Sequence, residues 1–72
     1  MIEAETVEID GLYAPCVDMY GHLFTPPDTV ALFRRVEDAY AHAESIARIL
    51  NRLSWRNQWD FIHNMEWVER AI

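Results

Sequence analysis

The sequence predicts an α+β domain in which an N-terminal two-stranded β-hairpin, residues about 3–9 and 12–19, packs on two α-helices, about 26–53 and 55–71. Three observations predict it. Alternating residues flank an Asp10-Gly11 dipeptide, a pair suited to the two positive φ angles of a two-residue hairpin turn. Apolar residues then recur at spacings of four and three, Leu32, Val36, Ala39, Ala43, Ile46, Leu50 and Leu53, a seam along one face of a helix. Continued in register, that seam places Asn57, Asp60, Asn64 and Trp67 on the apolar line, so the first helix breaks near Leu53, or else bends there into a long helix whose buried face rotates.

A two-residue loop fixes the hairpin register. Ile9 faces Leu12, Val7 faces Ala14 and Glu5 faces Cys16 on one side; Glu8 faces Tyr13 and Thr6 faces Pro15 on the other. Alternation gives an apolar inner face of Val7, Ile9, Leu12 and Ala14 and a polar outer one. Pro15 lacks the amide donor of a ladder, so the second strand is an edge there or ends there. Gly21 marks a turn, and Leu23-Phe24 forms a brief third strand or an apolar plug. An isolated hairpin is marginal in water, so it lies on the helices.

Thr25-Pro26-Pro27-Asp28 reads as a helix start, with Thr25 as N-cap, Pro26 at the first helical position and Asp28 at the third. Phe33, Tyr40 and Ala47 repeat every seven residues beside the seam. The two rows make a broad apolar face, the width of a helix packed in a globule, and the seam reads as a core spine or a self-association surface. Ser54 is placed to cap the second helix. In that helix Phe61, Ile62, Met65, Val68 and Ile72 share one side, with Trp55 and Trp59 at its edge. Arg56, Asp60, His63, Asn64 and Arg70 lie opposite, and Trp67 falls among them, exposed unless something covers it.

The chain, residues 1–72, reads as one domain. A domain of this size buries only about 60% of the surface its unfolded chain exposes, so a partner or self-association is expected. Net charge is −6, and its placement matters more than its size. Residues 1–28 hold Glu3, Glu5, Glu8, Asp10, Asp18 and Asp28 with no basic residue, whereas residues 29–72 hold six acids against six arginines. Such a surface repels phosphate backbones and complements a basic surface on another protein. Cys16 is the one cysteine, which excludes an internal disulfide and fits a reducing compartment. No leader or apolar membrane-length run is seen, so the expected location is the cytoplasm.

Catalytic and metal signals are weak. Cys16 lies near His22 in sequence, but its neighbours Asp10 and Asp18 oppose the electropositive setting a reactive thiolate needs. Asp60, His63 and Glu66 step along one helix at ligand-like spacing, as do Asp38 and His42, without a CxxC, HxH or HExxH pattern. No enzyme activity, cofactor or small-molecule substrate is expected. The functional candidates are the carboxylates Glu3, Glu5, Glu8, Asp10 and Asp18 together with Trp67, since tryptophan is enriched at interface hot spots. The expected role is that of an acidic inhibitor or accessory protein occupying a basic surface of a larger nucleic-acid-handling protein. Phage and mobile-element inhibitors, anti-CRISPR proteins among them, are of this type. A homo-oligomeric helical protein paired through the seam is the alternative, and a divalent-metal-binding helical protein the second.

Overall fold

Asp10 and Gly11 both take positive φ, 52° and 81°, and join two antiparallel strands, β1 (Glu3–Ile9) and β2 (Leu12–Met19). The computed structural model describes residues 1–27 and 32–70. The predicted register is the observed one, from Ile9 opposite Leu12 through Val7 opposite Ala14 to Glu5 opposite Cys16. Tyr20 and Gly21, at φ 57° and 90°, make a second two-residue turn into β3 (His22–Thr25). Leu23-Phe24 therefore belongs to a third strand, with Phe24 opposite Val17. A short β4 (Val68–Glu69) completes an antiparallel sheet of order β1-β2-β3-β4.

Pro15 marks where β3 stops, and β2 continues past it. On the side of β2 away from β1, the Tyr13 amide donates to the Phe33 carbonyl at 2.7 Å and the Phe33 amide donates to the Tyr13 carbonyl at 2.9 Å. Residues two apart in a strand turn their amides the same way. The donor Pro15 lacks would thus face the side where β3 has already ended at Thr25.

The helices cover the sheet face opposite to the predicted one. Ile2, Val17, Met19 and Phe24 form the core with Ile46, Ala47, Leu50, Ile62 and Trp67, so the face of Ala4, Val17 and Phe24 meets the helices. The residues beside the turn, taken alone, favour the other face. Ile2 and Met19 at the far end of the hairpin, and Phe24 from β3, outweigh them. The other face is also covered near the turn: Ala14 and Cys16 are buried, and Pro26, Pro27 and Leu32 border a small pocket with Ile9 and Ala14. With both faces covered, β2 is buried without a break from Ala14 to Val17, which matches its uninterrupted Ala-Pro-Cys-Val run.

The first helix, α1 (Val36–Asn51), starts later than predicted. Thr25 is strand, opposite Val68, and Pro26 and Pro27 lie outside any helix; Asp28 falls outside the described residues. Each proline pushes the residue before it towards extended backbone, which acts on Thr25 and on Pro26, and the Phe33 backbone is committed to Tyr13. Within α1 the spine holds from Ala39 to Leu50: Ala39, Ala43, Ile46, Ala47 and Leu50 are buried, and the small alanines let the helix lie close to the sheet. Val36 and Tyr40 are exposed, and Leu32 and Phe33 precede the helix.

The break near Leu53 is present. The second helix, α2 (Trp55–Asn64), has Ser54 as N-cap, its hydroxyl accepting the Asn57 amide at 3.4 Å. It stops seven residues short of the predicted end. Glu66 enters the left-handed region at φ 61°, its amide donates to the His63 carbonyl at 3.0 Å, and the Trp67 amide donates to the Ile62 carbonyl at 3.3 Å. This bond pair is a Schellman ending, in which the residue after the left-handed one packs back on the helix. Trp67 does so: it is 5% exposed and joins the core beside Ile62. Val68 lies exposed in β4, and Ile72 falls outside the described residues.

Gln58 ties the two helices to the sheet. It is buried in the apolar stripe of α2, and its amide donates to the Leu50 and Leu53 carbonyls at 3.0 and 3.2 Å while its oxygen accepts the Tyr20 hydroxyl at 2.8 Å. Burial scales alone favour leucine at this position. We expect Gln58→Leu instead to cost about 1–3 kcal/mol in urea unfolding, because it strips partners from buried polar groups.

Candidate functional site

The acidic segment folds into the edge of the sheet. Among the described residues, β1 has β2 on one side and no strand on the other. Glu3, Glu5, Glu8 and Asp10 are exposed on it and its turn. Alternation sets Glu3 and Glu5 on the face away from the helices and Glu8 on the helix side. Asp18 is half-buried and already engaged, its carboxylate accepting the Gly21 amide at 2.9 Å. Glu3 stands directly opposite Asp18, a like-charge pairing that costs stability in a sheet.

Backbone polarity along this edge follows from the turn. In a two-residue hairpin the residues flanking the loop bond each other, so Glu5, Val7 and Ile9 direct their amides and carbonyls at β2, while Ala4, Thr6 and Glu8 direct theirs outward. Ile2, in the same phase, is closed off by α1: its amide donates to Asn51 Oδ1 at 3.0 Å, and its carbonyl accepts from Asn51 Nδ2 at 2.9 Å. Asn51 serves Ile2 as a neighbouring strand would. Beyond it, a groove of about 280 Å³ runs between β1 and α1, bordered by Ala4, Tyr40, Glu44, Ala47, Arg48 and Asn51.

The other sequence candidates divide. Trp67 is core and offers no exposed anchor. The exposed tryptophan is Trp55, edge-on to Trp59 at 6.0 Å between ring centroids. Trp59 in turn packs edge-on against Phe24 and His22. The seam residues Ala39, Ala43 and Leu50 are fully buried within the fold, which leaves little of the seam for a second copy. Asp60, His63 and Glu66 do not converge, because α2 ends between the last two; among the described residues no three His, Cys, Asp or Glu side chains are grouped to hold a metal ion. His22 meets a carboxylate that the sequence did not suggest, Glu69 of β4, at 2.6 Å on the surface.

Among the described residues no helix is long and apolar enough to cross a membrane. The sequence reasoning missed Asn51 and Gln58. Gln58 had a visible signal, a polar residue in the stripe Trp55, Gln58, Ile62, Met65; Asn51, at the end of α1, had none. Comparison of the chain with protein-family models, curated proteins and solved structures finds no match in any of the three.

Cys16 is fully buried, its thiol directed at the Ala14 carbonyl at 3.6 Å. Burial pushes its pKa up to about 11, with Glu5 adding to the rise and Arg70 opposing it. A raised acid holds its proton in the fold and loses it more readily in the unfolded chain, so this group's contribution to stability is complete below about pH 9 and is lost as pH rises towards about 11. Iodoacetamide at pH 8 should label Cys16 at least about a hundredfold more slowly in the folded protein than in urea. Equal rates would show an open thiol.

Proposed function

We propose that this chain is a small, acidic, non-enzymatic protein-binding module that occupies a basic surface of a larger, nucleic-acid-handling protein, as an inhibitor or accessory subunit. The observation that carries the reading is the gathering of exposed carboxylates on one open strand and its turn, in a segment without lysine or arginine from residue 1 to residue 27. Carboxylates held on a rigid strand present negative charge where the target's arginines and lysines otherwise meet phosphates, and such complementarity speeds association and selects partners. Opposed Glu3 and Asp18 support the reading further, since a cationic partner relieves their repulsion. A buried, reduced Cys16 fits the cytoplasm.

The test compares immobilised wild type with the triple variant Glu3→Lys, Glu5→Lys, Glu8→Lys in capture from the source cell, read by mass spectrometry. The expected result is a basic, nucleic-acid-binding protein enriched about tenfold or more on the wild type alone, and released by salt near 0.5 M, where the Debye length has fallen to roughly 4 Å. Equal capture by both chains would remove the acidic segment from the function.

A further inference from the structure

Deepening that reading, and resting on it, we infer that the outer edge of β1 accepts an extended basic segment of the partner as a fifth strand of the sheet. Ala4, Thr6 and Glu8 turn their amides and carbonyls outward in one phase. The same phase is already satisfied at Ile2, where Asn51 supplies a donor and an acceptor at 2.9–3.0 Å. The edge is therefore paired at its start and, among the described residues, open after it. Strand addition uses such an edge, with main-chain bonds giving affinity and alternate side chains giving specificity.

The surroundings define the occupant. Residues bonded to Ala4 and Thr6 place their side chains on the helix side, in a groove where Ala4, Tyr40 and Ala47 leave room for a small aliphatic group and Glu44, Arg48 and Asn51 make the rest polar. The intervening residues fall beside Glu3 and Glu5 on the other face, which suits arginine or lysine. A second copy of this chain fits poorly, because it brings the same carboxylates and a charge of −6 to meet their like.

The probe is an end-blocked eight-residue peptide alternating arginine and valine, titrated into the isotopically labelled protein and followed by amide NMR. We expect the Ala4, Thr6 and Glu8 amides to shift and to exchange more slowly with solvent. A peptide N-methylated at its valines, and the variant Thr6→Pro, should each bind about tenfold more weakly, the loss expected for one or two hydrogen bonds. Proline suits an edge position whose amide faces solvent, and the methylated peptide repeats the test on the unaltered chain. A glutamate–valine peptide should not bind. If the methylated and unmethylated peptides bind alike and Thr6→Pro changes nothing, strand addition is overturned while charge recognition stands. If no peptide shifts the three amides, strand addition is overturned as well, and capture by the Glu3, Glu5, Glu8 variant alone then decides the proposed function. Protection of these amides without peptide, in a protein that light scattering shows to be dimeric, would put a second copy on the edge and overturn the proposal.

Discussion

The two-residue turn at Asp10-Gly11 is the constraint from which the rest of the architecture follows. Positive φ at both positions leaves one register open to the hairpin, and a slip of one residue would exchange the faces of the whole strand. That register sends Val17 to the helix side with Ala4, and Cys16 to the other with Glu5. It also decides which backbone groups of β1 are spent on β2 and which remain. The helices answer to it: α1 lays its alanine row against the helix-side residues and places Asn51 against the first outward-facing residue of the edge.

What was legible in the sequence is what local chemistry dictates. Asp10-Gly11 announced the turn and its register, the failure of the seam after Leu53 announced the break, and Ser54 announced the cap. The errors have a common cause, since each is a place where a contact distant in sequence overrides a local pattern. Thr25-Pro26 has the composition of a helix start, yet Thr25 is claimed by β4 and Phe33 by Tyr13. Trp67 lies on the polar arc of a helix that the chain does not continue, because Glu66 adopts a left-handed conformation that glycine would have signalled and glutamate does not. The choice of sheet face depended on Ile2, Met19 and Phe24, whose membership of the sheet became clear only with the far end of the hairpin and the third strand.

The candidate site was legible in its charge and illegible in its shape. The acidic run was plain from residues 3 to 18, but a count of carboxylates does not separate those on an open strand from one bound in a turn, as Asp18 is. Nor does it reveal that the edge beside them is closed at Ile2 and open from Ala4. The proposed function rests on the coincidence of two features, charge that would attract a basic segment and backbone that could bond one. Both are set by the same hairpin, which ties the proposed role to the fold and not to an appended motif.

Amide hydrogen exchange on the free protein tests this account most directly. Glu5, Val7 and Ile9, bonded to β2, and Ile2, held by Asn51, should exchange on the order of a hundredfold or more slowly relative to Ala4, Thr6 and Glu8. Protection alternating residue by residue along β1 is the predicted result. Uniform protection of the strand, or protection of Ala4, Thr6 and Glu8 in place of their neighbours, would contradict it, because the open edge on which the functional reading stands would not exist.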